Sequence, residues 1–278
     1  MFDLKKNSVL IGAHNAFTAK LIEKTGFDGV YISGAGLSNS AGVSDTGILK
    51  LQDFTYAGRQ IVNATKLPVL SDADTGFDNI EKTVKEYIKA GLMGLHIEDQ
   101  QFPKRCGHLP GKEVVSVEEM LQKVAAAVKV RNKLAPGFLI IARTDARGAV
   151  NVAEDLQFNE ALNRGKAYLK AGADMIFPES LKSAEEFAEY RKVIDAPLLA
   201  NMTEFGKTPY IAYQDFFKMG YQMVIFPVSV FRYLAGRTVE ALEAIKRDGS
   251  QKNLVDKMMP RGEINKLLEY DPTKGGKK

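Results

Sequence analysis

The chain has 278 residues, of which 45% are hydrophobic and 26% charged, a composition typical of a globular protein in solution. No apolar run approaches the roughly 20 residues that a membrane-spanning helix needs, and a formal net charge of +4 is too small to indicate a nucleic-acid-binding surface. We therefore expect a small-molecule ligand, with no nucleic acid or membrane as partner. The first residues, MFDLKK, lead into a strand-like run without the features of a signal peptide, which predicts a cytoplasmic protein.

Short apolar runs alternate with stretches of helical period along almost the whole chain. The predicted strands are 9–13, 29–33, 67–71, 94–98, 138–142, 175–177, 198–201 and 223–226. Strands that are apolar throughout and alternate with helices are typical of a parallel sheet covered by helices. The length fits one barrel domain of roughly 250 residues. The pattern therefore predicts an α/β protein, a single (β/α)8 TIM-type barrel domain over 1–278.

The same junction between helix and strand recurs four times, which supports the repeating unit. It reads KTGFDG, KAGLMG, KAGADM and KMGYQM, beginning at residues 24, 89, 170 and 218. A lysine in the last helical turn followed by glycine is typical of a helix end with a left-handed cap. No glycine-rich phosphate loop follows the first strand, so a closed barrel is favoured over a doubly wound dinucleotide-binding sheet.

Beyond the eighth strand, the sequence predicts a helix over about 233–247 and a second helical stretch over about 251–268, within a C-terminal extension of about 250–278. A plain barrel does not need the second stretch. An amphipathic helix must cover apolar surface, either on a neighbouring subunit or on its own barrel, and the pattern leaves both arrangements open.

Polar residues follow most of the predicted strands, at the end where a barrel enzyme carries its catalytic groups. Asp72, Asp74 and Glu98 form a set of carboxylates on adjacent strands, and alternation along the third strand points Asp72 and Asp74 the same way. Hard oxygen ligands without paired His or Cys indicate Mg2+ or Mn2+. The alternative is that Asp74 or Asp78 caps the helix that begins near Asn79.

The loop after the fourth strand contains the sequence Lys104-Arg105-Cys106-Gly107-His108. Cys106 is the single cysteine of the chain, and most lone cysteines are buried apolar side chains. Here its neighbours are cationic, and such neighbours lower the pKa of a thiol and suit it to act as an acid or nucleophile. Pro103, Gly107, Pro110 and Gly111 bound the segment, which we expect to be a lid that opens without ligand and closes over substrate.

The KRCGH segment resembles the signature of the isocitrate lyase and phosphoenolpyruvate mutase superfamily. Six further motifs resemble it in the same order, over nearly the whole chain: YISG from 31, DADTGF from 72, HIEDQ from 96, ARTDA from 142, FPE from 177 and NMTEFG from 201. The short chain, with Phe177 and Ile225 where an extra methyl group must fit, most resembles the branch that cleaves 2-methylisocitrate to pyruvate and succinate. The resemblance implies a homotetramer whose C-terminal helices are exchanged between subunits.

Residue by residue, the resemblance implies Mg2+ held by Asp72 and Asp74, with Glu98 and Asp45 supporting it. It implies that Cys106 protonates a carbanion, assisted by Lys104, Arg105 and His108, and position alone makes Tyr31 the candidate base. The substrate contacts it implies are Ser33, Gly34, Ala35, Gly107, Arg143, Glu179, Asn201, Met202, Thr203, Arg232 and Arg261. Arginines suit bidentate binding of the carboxylates of a tricarboxylate.

Two departures from the family pattern concern the second strand. The stretch from Ser33 to Asp45 is a residue shorter than usual, and Ala35 stands where glycine is common, which matters only if that position needs a positive φ. Other functions stay open: isocitrate cleavage, decarboxylation of an oxaloacetate-like acid, and a catalytically silent barrel that binds dicarboxylates. A Schiff-base aldolase needs a buried lysine at a strand end, and the sequence shows none there.

Overall fold

Within the residues that the computed structural model describes, which are 2–105, 107–271 and 273, eight strands alternate with ten α-helices. The strands are β1 (Ser8–Gly12), β2 (Gly29–Ile32), β3 (Val69–Asp72), β4 (Gly94–Glu98), β5 (Leu139–Thr144), β6 (Met175–Pro178), β7 (Leu199–Asn201) and β8 (Met223–Phe226). The helices are α1 (Ala16–Lys24), α2 (Gly34–Ser40), α3 (Leu51–Val62), α4 (Ile80–Lys89), α5 (Val117–Leu134), α6 (Gln157–Lys170), α7 (Ala184–Val193), α8 (Tyr213–Met219), α9 (Ser229–Asp248) and α10 (Arg261–Leu267). All eight predicted strands are present, with ends shifted by at most two residues.

The strands are parallel and close into a barrel. Their order in the sheet is β6-β5-β4-β3-β2-β1-β8-β7, so β1 pairs with both β2 and β8. A parallel bridge between Ile176 and Leu198, with the Ile176 amide donating to the Pro197 carbonyl at 3.1 Å, joins β6 to β7. The predicted (β/α)8 fold is confirmed, and all eight strands deliver their carboxyl ends to one mouth.

Two apolar layers stabilise the barrel. Side chains of alternate strand positions fill the interior, among them Leu10, Leu139, Met175 and Leu199, while the opposite faces pack against the helices. Phe2, ahead of β1, packs against the interior cluster. Each fully buried aliphatic side chain contributes roughly 2 kcal/mol to folding through its removal from water. The interior is therefore a packed core, and ligands have access only at its end.

The four repeated junctions end their helices as the sequence predicts. Gly26, Gly91, Gly172 and Gly220 all have positive φ, at 81°, 83°, 101° and 95°. At Gly220, for example, the amide donates back to the Phe217 carbonyl and the chain turns directly into β8. These positions need glycine because an L side chain is strained in the left-handed region.

The C-terminal region departs from the prediction. The stretch predicted as helical over 251–268 is broken, because Pro260 cannot donate a backbone hydrogen bond: a short 3-10 helix (Lys252–Lys257) precedes α10. Lys24 at the end of α1 pairs with Glu263 of α10 at 3.4 Å, so α10 lies against its own barrel. By contrast, α9 buries little of its surface beyond Ala244. None of the helices in the described ranges is long and apolar enough to cross a membrane.

Candidate active site

The mouth of the barrel brings together most of the residues that the sequence singles out. A cavity there is lined by Tyr31, Ser33, Ala35, Asp45, Asp72, Glu98, Lys104, Gly107, His108, Arg143, Glu179, Asn201, Thr203 and Arg232. Gly34 and Asp74 lie directly behind this lining, and Met202 is buried next to Asn201. Arg261 lies on α10 beside α1 and is outside this lining. Cys106 lies outside the described residues, so its predicted role stays a prediction.

Three carboxylates converge beside Gly34. A Cβ at this glycine would lie 2.9 Å from Asp72 Oδ2, 3.3 Å from Asp74 Oδ1 and 3.4 Å from Asp45 Oδ1. The Gly34 amide donates to Asp72 Oδ2 at 3.1 Å, and the Asp74 amide donates to Asp72 Oδ1 at 2.9 Å. Glycine is required here because any side chain would enter the carboxylate cluster. The shorter segment before Asp45 does not prevent that residue from joining the cluster.

Asp74 faces the cluster through an unusual backbone conformation. Its φ is 47°, in the left-handed region that Asp adopts more readily than most residues. Burial, with repulsion from Asp72 and Asp45, raises the pKa of Asp74 to about 7 although Lys104 opposes the shift. Asn79 caps α4 by accepting from the Lys82 amide at 2.9 Å, so neither Asp74 nor Asp78 supplies that N-cap.

The chemistry of the cluster fits a hard divalent cation. Its donors are carboxylate oxygens, and Oε1 of nearby Glu98 is buried without a hydrogen-bond partner. In this conformation, no three His, Asp or Glu side chains of the described chain are arranged as a coordination shell. The ammonium of Lys104 lies in the cluster instead, 2.6 Å from Asp45 Oδ1 and 2.5 Å from Asp74 Oδ1. The residues therefore fit Mg2+ in donor type, with Lys104 as the cation that now balances them.

A second charged group, of Arg143 and Glu179, occupies the other side of the mouth. Arg143 Nη2 lies 3.3 Å from Glu179 Oε2, and its Nε donates to Asp145 Oδ2 at 2.8 Å. His108 Nε2 lies 2.8 Å from Glu179 Oε1, and its Nδ1 accepts from the Lys207 amide at 3.0 Å. Burial opposes ionisation of Glu179, but Arg143 and His108 hold its pKa well below the usual range.

The described residues of the loop after β4 that line the cavity are Lys104, Arg105, Gly107 and His108. Where the loop begins and ends, the Gln101 amide donates to the Glu113 carbonyl at 2.9 Å. In the middle of the loop, the Gly107 carbonyl accepts from Ser180 Oγ at 2.8 Å. The cavity at the mouth measures about 60 Å3, well below the roughly 300 Å3 of a small ligand pocket. Lys104 is only 4% exposed. With the loop in this position, the cavity is therefore too small for a tricarboxylate.

His96 is a site residue that the sequence reasoning missed. It is fully buried, and its Nε2 lies 2.6 Å from the Tyr31 hydroxyl and 3.6 Å from Asp72 Oδ1. Burial lowers the pKa of His96 to about 4 and raises that of Tyr31 well above its usual value. The pair is therefore neutral at neutral pH. The available signal was strand alternation, since His96 and Glu98 share one face of β4.

Ala35 occupies a helical position at the start of α2, and it is not among the residues with positive φ. The exchange of glycine for alanine therefore imposes no backbone strain at this point.

A (β/α)8 barrel that gathers buried carboxyl groups, arginines and a lysine at the carboxyl ends of its strands belongs to the class of barrel enzymes. The particular family follows from comparison. The model of the phosphoenolpyruvate phosphomutase family matches residues 2–246, and the chain belongs to this family, within the PEP mutase/isocitrate lyase superfamily.

Three relatives place the chain within this family. The 2-methylisocitrate lyase of Aeropyrum pernix is 43% identical over 272 residues, covering 96% of this chain and 85% of the relative. The crystal structure of a 2,3-dimethylmalate lyase superposes with a TM-score of 0.88 at 32% identity, over 98% of this chain and 93% of the other. Phosphonopyruvate hydrolase in complex with oxalate and Mg2+ superposes with a TM-score of 0.82 at 30% identity, over 95% and 90%.

Proposed function

We propose that this protein is a Mg2+-dependent carbon–carbon lyase that cleaves 2-methylisocitrate to pyruvate and succinate. The observation that carries the proposal is the convergence of Asp45, Asp72 and Asp74 opposite the Arg143–Glu179 pair, beneath a lid that can close. The similarity to a 2-methylisocitrate lyase over 96% of the chain supports the substrate, and the Mg2+ complex of a structural relative supports the metal.

The charges at the mouth suit a trianionic substrate only when a divalent cation is added. The formal charges of the lining balance, because four Lys or Arg side chains face four Asp or Glu side chains: Lys104, Arg105, Arg143 and Arg232, and Asp45, Asp72, Glu98 and Glu179. Burial raises the pKa of Glu98 well above its usual value, which removes part of the negative charge. Three substrate carboxylates still need further positive charge, and Mg2+ when bound supplies it and stabilises negative charge that develops on substrate oxygens.

The remaining lining residues have roles that follow from their chemistry. Arg143 and Arg232 line the cavity, the first from β5 and the second from α9, and both are placed to bind substrate carboxylates. Arg232 Nη1 is held by hydrogen bonds to Thr203 Oγ1 at 3.1 Å and to the Glu204 carbonyl at 2.7 Å. Phe177 and Ile225 give the cavity an apolar wall. This wall would receive the methyl group that distinguishes 2-methylisocitrate from isocitrate.

Cleavage needs a base and an acid from the chain. The base removes the proton of the substrate hydroxyl, the carbon–carbon bond breaks to give the carbonyl of pyruvate, and its electron pair remains on the succinate fragment as an aci-carboxylate. Cys106 then donates its thiol proton to that carbon. Its chain neighbours Arg105 and Gly107 line the cavity, which supports this assignment, and cations of the lid would set the proton affinity of the thiol.

The candidate base is Tyr31, which lines the cavity. Tyr31 has its hydroxyl at the cavity, but its raised pKa opposes loss of a proton at neutral pH, and its partner His96 is a poor acceptor. Tyr31→Phe tests the role directly. A base predicts a loss of kcat of about 10^2-fold or more, whereas a hydrogen-bond donor to His96 predicts a smaller loss.

The proposed assembly is a homotetramer in which C-terminal helices are exchanged. The exposed apolar side chains of α9 support it, since Leu234 is 43%, Val239 54% and Leu242 61% exposed in the single chain. Sedimentation equilibrium tests the assembly, and a protein that stays monomeric at micromolar concentration would contradict it.

The function is tested with a panel of acids assayed for relative kcat/KM: 2-methylisocitrate, isocitrate, 2,3-dimethylmalate and oxaloacetate. We expect the highest value for 2-methylisocitrate. The structural similarity to a 2,3-dimethylmalate lyase makes that acid the second candidate substrate. A protein that binds dicarboxylates but cleaves none of the four would be the silent barrel.

A further inference from the structure

Lys112 is a buried lysine outside the residues given roles above. It follows the lid tip, just after Gly111, and its side chain is fully enclosed. Burying an ammonium group is unfavourable unless a partner compensates its charge. Lys112 Nζ donates to Asp145 Oδ1 at 3.0 Å, and the same carboxylate accepts from Arg143.

The backbone around Lys112 is fixed independently of the lid tip. Its carbonyl accepts from the Val150 amide at 2.8 Å, in the loop that follows β5. Two residues later, Val114 exchanges hydrogen bonds with the Asn151 side chain at 3.1 and 2.8 Å. Lys112 therefore belongs to the rigid base of the lid and holds its contact from an anchored position.

Asp145 is held from its other side as well. Its amide donates to Asp99 Oδ1 at 2.8 Å, and Asp99 Oδ2 accepts from the Tyr168 hydroxyl at 2.7 Å and from Arg164 at 3.1 Å. Burial favours protonation of Asp145, but Arg143 and Lys112 together keep its pKa low. The carboxylate is thus a fixed anion shared by two cations.

Arg143 lies among three carboxyl groups. Besides Asp145, its guanidinium approaches Glu98 at 3.4 Å and Glu179 at 3.3 Å. If Asp145 had no other cation, it would hold Arg143 more tightly and draw it from the cavity. Arg143 Nη2 donates to Asp145 Oδ1 at 3.1 Å, and Lys112 donates to the same oxygen. A second cation on this oxygen weakens the hold of Asp145 on Nη2, which also faces Glu179 at 3.3 Å.

We propose that Lys112 is a positioning residue: by sharing Asp145, it holds Arg143 in the orientation that binds a substrate carboxylate. The inference rests on the proposed function for the identity of the substrate, but its mechanism requires only a carboxylate ligand. Arg143 would bind the substrate carboxylate equally in the ground state and in the transition state. Loss of Lys112 should therefore raise KM more than it lowers kcat.

The test compares Lys112→Met with Lys112→Arg, which retains a cation. K112M is expected to raise KM for 2-methylisocitrate roughly tenfold while kcat changes less than about threefold, and K112R is expected to recover most of the loss. The matched control is Arg131→Met, which removes another cation from a partly buried pair, 2.6 Å from Asp174, away from the mouth. R131M should lower Tm without changing KM.

A double-mutant cycle shows whether Lys112 acts through Asp145. In an Asp145→Asn background, adding K112M should change KM less than twofold, because the shared anion is already gone. An equal effect of K112M in both backgrounds would overturn the inference. So would a lower Tm with unchanged KM in K112M, since that result assigns Lys112 to folding alone.

The test is separable from that of the proposed function. Dissociation constants of succinate, measured by calorimetry with saturating Mg2+, report on Arg143 without turnover. If the wild-type protein cleaves no acid, the proposed function fails, while a tenfold weaker succinate affinity in K112M, rescued in K112R, still supports the positioning role. Unchanged affinity for succinate in K112M overturns it.

Discussion

Nζ of Lys104 lies 2.5 Å from Oδ1 of Asp74, so the loop after β4 places a cation of its own against the carboxylates proposed to hold Mg2+. The same ammonium is 2.6 Å from Asp45. Burial opposes the charge on Lys104, but Asp74 and Asp72 raise its pKa well above the usual value. If the cluster holds Mg2+ as proposed, Lys104 would compete with the metal for it, and metal binding would be linked to the position of the Lys104 loop.

Lys104→Met removes this competing cation. We expect K104M to bind Mg2+ alone at least about tenfold more tightly than the wild type, the change that 1.4 kcal/mol of repulsion produces, while turnover falls. Titration calorimetry with Mg2+ measures the affinity. Lys123→Met is the matched control, because Lys123 pairs with Glu119 on the outer helix α5. Equal Mg2+ affinities of K104M and the wild type would refute the competition.

Asp74→Asn should raise Tm relative to the wild type when metal is absent, and should lower it relative to the wild type when Mg2+ is saturating. The pKa of Asp74 is about 7 in the folded protein and near 3.8 unfolded, so its ionisation costs stability as pH rises from about 4 to 7. Without metal, D74N should therefore have the higher Tm at pH above 7, with the difference vanishing near pH 4. Saturating Mg2+ should raise the Tm of the wild type and leave that of D74N unchanged.

Calorimetric scans at several pH values, with chelator and with Mg2+, measure both effects. A D74N protein that Mg2+ stabilises as strongly as the wild type would show that the cation binds elsewhere.

Cys106→Ser tests the proposed acid. Serine keeps the size of the side chain but is a much weaker acid, so kcat should fall by about 10^2- to 10^4-fold, while substrate affinity changes little. Rapid-quench kinetics separates protonation of the succinate fragment from release of pyruvate. Near-normal turnover by C106S would remove Cys106 from the mechanism.

Phe177→Trp tests the apolar wall. Phe177 is buried, with its ring edge-on to His96 at 5.4 Å, so a larger ring must project into the cavity. We expect the ratio of kcat/KM for 2-methylisocitrate over isocitrate to fall about 10- to 200-fold, as for the loss of space for one methyl group. Phe217→Trp, on the outer helix α8, controls for the substitution itself. An unchanged ratio would mean that the methyl group binds elsewhere.

The barrel was predictable because its signals are local. Every strand is a short apolar run, and glycines such as Gly26 and Gly220 mark helix ends wherever the chain must adopt a left-handed conformation. The broken C-terminal helix was also readable in principle, since Pro260 stands in the middle of the stretch predicted as continuous. Periodicity was given more weight there than the missing backbone donor.

The site was predictable where chemistry follows a strand end, as at Asp72, Glu98 and Glu179. The site was harder to predict where it depends on contacts between charged residues that are far apart in the sequence. Lys104 contacts Asp45 of the carboxylate cluster, although the two residues are 59 positions apart in the sequence. No local sequence pattern predicts such a contact. Lys112 lacks a local signal for the same reason, because its partner Asp145 lies 33 positions further along the chain.

The central claim is tested most directly by pyruvate release from 2-methylisocitrate, with Mg2+ and with chelator, beside glyoxylate release from isocitrate. The account predicts metal-dependent cleavage that favours the methylated acid and stops when Mg2+ is removed. Cleavage that continues in chelator, or no cleavage of either acid, would contradict it.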